Sequence, residues 1–193
     1  MPCRRHGIPG TDRHGFQQGQ LDSLCAVYAV VNAAHHVATG LAAVAIRPRA
    51  LFRRLVGQLD DAGLLGSALV DGLDHEQLPP LLATTRHWAL DHWDVQLRVH
   101  RPFQIDAEVA PLQVLDSLHD HLARPHSVAI VAVEGGLDHW TCVRAAQGRR
   151  LMLLDSDGLH YFNERTFRLY RRPDGCGRRP LPASLHLVRA RRA

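Results

Sequence analysis

The stretch from Asp22 to about Ala38 constrains this chain most. It runs Leu24, Cys25, Ala26, Val27, Tyr28, Ala29, Val30, Val31, Ala33, Ala34 with almost no polar interruption. A helix that is apolar nearly all round has no face to give to water, so this one must be buried. Asp22 or Ser23 can cap its start, and Thr39-Gly40 can end it. A chain of 193 residues buries roughly 70 % of its unfolded surface, enough for a core around such a helix without disulfide staples.

The other elements arrange themselves around that helix in two blocks. Residues 48–65 place Leu51, Phe52, Leu55, Val56, Leu59 and Leu64 at helical spacing, which predicts an amphipathic helix. Residues 75–92 predict another, entered through Pro79-Pro80, and residues 110–123 a third, ended by Pro125. Val95 to Val99 alternates and reads as a strand. The last third turns β-branched. Ser127 to Glu134, His139 to Ala145 and Arg149 to Asp155 are strand candidates, the last two joined at Gln147-Gly148. Shorter candidates lie near Leu159–Phe162, Phe167–Tyr170 and Leu185–Val188. Helices first and a mostly antiparallel sheet second is an α+β order. A single domain over 1–193 is expected. It comprises an extended lead-in over 1–20, a mainly helical half over 21–124 and a mainly β half over 125–193.

Composition removes several classes. Hydrophobic residues make up 46 % and charged residues 22 %, ordinary for a globular chain. No apolar run reaches about 18 residues, so no membrane span is expected. The basic start, Cys3-Arg4-Arg5, has no apolar stretch behind it, so a secretory signal is not expected and a cytoplasmic setting follows. The four cysteines, Cys3, Cys25, Cys142 and Cys176, are widely spaced without a CxxC pair; they read as free thiols. All 23 basic residues are arginine, as a GC-rich genome would produce. The net charge of +4 is uneven: residues 144–193 carry +8 and residues 1–143 carry −4. That basic end is a candidate face for an acidic partner. It lacks interleaved aromatics and any nucleic-acid motif, so a nucleic-acid partner is not expected.

Three short islands carry the chemistry. Cys25 stands at the start of the buried helix, where the dipole and unpaired N–H groups favour a thiolate and can stabilise an oxyanion. His139 opens a strand in Asp138-His139-Trp140-Thr141-Cys142-Val143. Asp155 ends the next strand in Leu153-Leu154-Asp155-Ser156-Asp157-Gly158. Strands joined by a tight turn are antiparallel neighbours, so His139 and Asp155 should meet. A carboxylate there would orient the imidazole, completing a nucleophile, base and orienter. Asp155 also has the bland role of a turn former before Gly158. Gln17, Gln18 and Gln20 precede Cys25 and offer a side-chain amide for an oxyanion hole. His35-His36, His119-x-His121 and His87 to His92 lack zinc-ligand spacing, and no metal site is expected. No phosphate loop ends the Gly63–Asp71 stretch.

Taken together, Gln-x-Gln-Leu-Asp-Ser-Leu-Cys-Ala-x-Tyr, Asp-His-Trp-Thr-Cys-Val and Leu-Leu-Asp-Ser-Asp-Gly resemble the papain-like cysteine peptidase superfamily. Within it they are most similar to the bacteriocin-processing, double-glycine leader peptidases and their stand-alone relatives. The Asp-x-x-Cys piece also resembles ovarian-tumour-type deubiquitinases. The resemblance spans about residues 17–158. It implies a papain-like α+β fold, no cofactor, and a Cys25–His139–Asp155 triad acting through a covalent acyl-enzyme. It also implies Gln20, or alternatively Gln18, as the oxyanion donor, because the family's glutamine falls six residues before the cysteine and that place is Gly19. Asp22, Ala26 and Trp140 are expected to line the groove, Ala26 standing where relatives often have glycine. The implied substrate is a peptide or protein, with an acidic chain, a ubiquitin-like tail and a leader peptide as candidates. The same triad also serves amidases, glutamine deamidases, transglutaminases and acyltransferases. A catalytically inactive binding module with a basic face is a further alternative.

Overall fold

The computed structural model describes residues 15–19, 21–104, 109–134, 138–167, 179–180 and 182–193. The buried helix is there as α1, Cys25–Ala38. Its side chains are covered almost throughout, Tyr28, His35 and His36 being the partly exposed ones. The Thr39 backbone N–H and hydroxyl both donate to the His35 carbonyl, and Gly40 then takes a positive φ of 82°, so the helix stops where the sequence says it can.

The amphipathic stretch at 48–65 is two helices. α2 covers Pro48–Asp61 and α3 covers Leu65–Asp71. Between them Gly63 adopts φ +69° while its N–H bonds the Asp60 carbonyl and that of Leu64 bonds Leu59. This is a Schellman termination, which needs the left-handed residue that glycine supplies without strain. α4 follows at Leu78–Trp93, with Asp94 in the left-handed region as its stop, then β1 at Val95–His100 and α5 at Pro111–Leu122. β2 is Ser127–Glu134, β3 His139–Gln147, β4 Arg150–Leu154 and β5 Tyr161–Asn163. α6 is the short turn Glu164–Phe167, β6 the pair Arg179–Pro180 and β7 the strand His186–Arg192. The strand expected from Phe167 begins instead as α6, because the Asn163 side-chain Oδ1 accepts the Arg165 N–H and turns the chain; residues 168–170 lie outside the described residues.

The strands form one antiparallel sheet in the order β1-β7-β2-β3-β4-β5, with β6 paired to β2. The chain is therefore α+β, with helices on both faces. On one face α1, α2 and α4 pack with Ile130, Cys142, Leu154 and Val188. On the other, Val114, Leu115 and Leu118 of α5 pack with Ala129, Val131, Val143 and Leu153. Among the described residues no helix is long and apolar enough to cross a membrane.

The described part of the lead-in, residues 15–19, is tied down at both ends. Asn32, buried in α1, accepts the Phe16 N–H at 2.6 Å and donates to the Phe16 carbonyl at 3.2 Å. Gly15 fits there because a Cβ would stand 2.6 Å from the Asn32 amide. Two residues on, the Gln18 N–H bonds the Ser156 carbonyl. The lead-in thus runs from the middle of α1 to the turn after β4.

Candidate active site

Cys25 is the first residue of α1 and only 7 % exposed. Neither expected cap is used on the helix. The Asp22 carboxylate accepts the N–H groups of Gly19 and Leu24, and the Ser23 hydroxyl donates to the Val70 carbonyl. Leu24 stands at the N-cap without a side-chain bond, and the first intrahelical bond is from Tyr28 to Leu24. The N–H groups of Cys25, Ala26 and Val27 are thus left without an intrahelical acceptor at the positive end of the helix dipole.

His139 opens β3 and is 5 % exposed. Its Nε2 lies 2.8 Å from Asp155 Oδ2, and the Cys25 thiol is in hydrogen-bonding reach of the same ring. With Nε2 engaged by the carboxylate, Nδ1 is the nitrogen left for sulfur. Burial by itself would pull the imidazolium down. The hydrogen bonds to Asp155 and Cys25, and their charges, overcome it and push His139 up to about 10. Burial likewise works against the Asp155 carboxylate, yet the bond from His139 and its charge hold the group below the ordinary range.

Asp155 has both of the roles its sequence context offered. Oδ1 accepts the N–H groups of Asp157 at 2.8 Å and Leu159 at 3.2 Å, which makes the turn. Oδ2 holds His139. A β-bulge decides which face the carboxylate takes. Gln147 pairs with Arg150, and a regular ladder from there would set Leu154 opposite Val143. The register slips between Val143 and Ala145, so Leu154 faces Cys142 and the next residue, Asp155, falls opposite Thr141. Thr141 and His139 share a strand face; Cys142 points to the other. Were Arg144 paired in an unslipped ladder, Asp155 would fall opposite Cys142, on the other side of the sheet.

Beside this pair opens a cleft of about 470 Å³. Cys25, Ala132, Val133, Asp138, His139 and Trp140 form one wall. The other comes from α3 and the loop after it, including Asp71, Gly72, Leu73, Asp74 and His75. That second wall had no counterpart in the sequence reading. It is latched to the cysteine's own loop: the Ser23 N–H bonds the Leu69 carbonyl, its hydroxyl bonds Val70, and Trp140 Nε1 donates to the Leu73 carbonyl at 2.7 Å. The signal available was Asp71-Gly72. Gly72 has φ +82° and sits where a Cβ would come 3.4 Å from the Ser23 carbonyl.

Of the residues expected to line the groove, Trp140 does so. Ala26 does not: it is fully buried in the core beneath Cys25. Asp22 does not either, since backbone bonding turns its carboxylate into its own loop. Gln18 is committed to the Asp155 turn. Its Nε2 donates to Asp157 and its Oε1 accepts from Ser156, which anchors the amide at that turn. Gln20 lies outside the described residues. Cys142 is no rival nucleophile: it is fully buried, its Sγ lies 2.9 Å from the Ala29 carbonyl, and burial raises the thiol far above the usual cysteine range. Cys3 and Cys176 also lie outside the described residues. The described lining of the cleft includes three aspartates, Asp71, Asp74 and Asp138.

Comparison with protein-family models, with curated proteins and with solved structures finds no match to this chain.

Proposed function

We propose that the chain is a thiol hydrolase, a cysteine peptidase of papain-like design, that cleaves an amide bond in a peptide or protein. One observation carries the reading: a buried imidazole held at 2.8 Å by a buried carboxylate, with a thiol at a helix start on the ring's other side and a cleft in front of it. His139 takes the Cys25 proton as sulfur attacks the carbonyl carbon. The C–N bond then breaks, and His139 returns the proton to the departing amine. A water, deprotonated by His139, attacks the thioester and releases the acid with Cys25 restored. Asp155 keeps the ring aligned and stabilises the imidazolium through both halves. The free N–H groups of the first turn of α1 face the carbonyl oxygen as it gains charge.

The test is alkylation by iodoacetamide as a function of pH, read by peptide mass in the native protein and in His139→Ala. The expected result is that Cys25 is alkylated well below pH 8 while Cys142 is not, and that His139→Ala removes the advantage of Cys25. Cys25 alkylation unaffected by the loss of His139 refutes the pairing.

A further inference from the structure

We propose that the cleft selects a cationic polypeptide segment, an arginine or lysine side chain lying beside the bond that Cys25 attacks. This rests on the thiol-hydrolase reading and adds its substrate class. The molecule as a whole is positive, with 23 arginines against 19 acids, yet the described cleft lining carries Asp71, Asp74 and Asp138 without an arginine. The sheet register sends much of the basic part of the chain elsewhere, Arg179 opposite Glu134 being the described strand arginine at the cleft end. The cleft lies where β2 ends and β3 begins, at Val133 and His139. Arg189 pairs with Ser127 at the opposite end of β2, Arg191 and Arg192 continue beyond it, and Arg150 pairs with Gln147 at the far end of β3. Arg101, at the cleft end, donates to the Ala183 carbonyl and is not part of the lining.

The two aspartates on the far wall are poorly explained by stability. Asp71 closes α3 at its C-terminus, where a negative charge opposes the helix dipole. Asp74 accepts the backbone N–H groups of Glu76 and Gln77, a job asparagine does as well. What only the aspartates add is charge, and a narrow cleft with low-dielectric walls focuses it. The described lining also holds His75 and the His139 ring, the latter already paired with Asp155. A polypeptide rather than a small amine fits because the cleft has an apolar flank. Leu21 is 99 % and Val70 75 % exposed, and the Ser23 bonds to Leu69 and Val70 hold their two loops side by side.

The experiment measures the rate at which Cys25 is modified by cationic 2-aminoethyl, anionic 2-sulfonatoethyl and neutral methyl methanethiosulfonate. The native protein is compared with Asp71→Asn/Asp74→Asn, each also carrying His139→Ala in a second set. Asparagine keeps the backbone bonds of position 74, so folding is preserved. Any change in the thiol itself acts on all three reagents and cancels in the cation-to-anion ratio. That ratio is expected to fall at least about fivefold in the double variant at low salt, and the difference to shrink at 0.5 M salt. Internally quenched peptides with arginine in place of glutamine or glutamate beside the scissile bond are expected to be cut faster, and the double variant to lose that preference. A ratio unchanged by the two substitutions overturns the charge selection and leaves the triad standing. A ratio that falls while the neutral reagent ignores the loss of His139 overturns the hydrolase reading and leaves the cationic cleft standing.

Discussion

At one end of the sheet β2 finishes, β3 begins and β4 runs into Asp155; at the other, Gly148-Arg149 joins β3 to β4 and Arg124-Pro125-His126 leads into β2. α1 spans the distance between them. Its N-terminus brings Cys25 to the first end, and its C-terminus brings His35 and His36 to the second, where His36 feels Arg144 and His126. The helix dipole favours negative charge where α1 starts, whereas at its other end burial and the charges of Arg144, His35 and His126 hold His36 below the usual imidazole range. The two ends differ in what their charges are spent on. At the distal end Arg191 reaches Gln96 on the exposed edge and Arg150 lies over the Tyr161 ring. Contacts of that kind are worth a fraction of a kcal/mol. At the cleft end a histidine and an aspartate are buried together, which is costly unless geometry compensates. Burial of a charged pair is what sets the cleft end apart.

The largest contrast should come from removing one partner of that pair. Asp155→Ala frees the His139 ring and strips two backbone N–H groups of their acceptor. Peptide hydrolysis is expected to drop by about 10²–10⁴, whereas Arg191→Ala at the distal end stays within about twofold. Equal losses in the two variants would erase the distinction between the ends.

The register sharpens it next. Inserting one alanine between Leu154 and Asp155 keeps the pairs up to Leu154 and sets Asp155 opposite Trp140, on the face of Cys142. Activity should fall as far as in Asp155→Ala, even with strand content by circular dichroism retained. An active insertion variant would show that the register does not govern the site.

A smaller effect is expected at Gln18, which braces the turn of Asp155 from outside. Gln18→Ala should lower hydrolysis roughly 3- to 30-fold, with about 1 kcal/mol or less lost in stability by urea unfolding. A large stability loss with unchanged activity would make the brace purely structural.

The smallest contrast is in pH dependence. His186, behind Trp140 at the cleft end, donates through Nδ1 to the Ser184 carbonyl and leaves Nε2 buried without a partner. Burial, together with the charge of Arg101, lowers it to about 4. The unfolded chain takes up a proton below about 6.5 while the folded chain resists it. The contribution is therefore full above 6.5 and is lost as pH falls toward 4. His139 has the opposite sign: its contribution is present below 6.5 and lost as pH rises toward 10. Melting temperature against pH should flatten on the acid side in His186→Gln and on the alkaline side in His139→Gln. Slopes that match the native protein would place these charges outside the stability of the cleft end.

Much of this was legible in the chain. The apolar run at 24–34 could only be a buried helix, and its first residue could only be Cys25 or a near neighbour. The β-branched run of Ser127–Glu134 gave a strand with the observed bounds, and the turn at Gln147-Gly148 set His139 beside Asp155 before any coordinate did. These are local matters: periodicity, turn chemistry and chain order act over a few residues, and the sequence states them directly. What the sequence alone left open are the features that depend on distant partners. Whether Asp155 faces His139 turns on one unpaired residue in β3, a slip that alternation alone does not announce. Gln18, 138 residues from Ser156 in sequence, binds the turn because two remote segments pack there. Ala26 looks like a groove residue in the linear motif and is a core residue in the helix. The wall carrying Asp71 and Asp74 exists because Ser23 catches α3 by its last carbonyls. Each of these outcomes is a competition among long-range contacts, decided by total free energy in the folded chain and written in no single stretch of it.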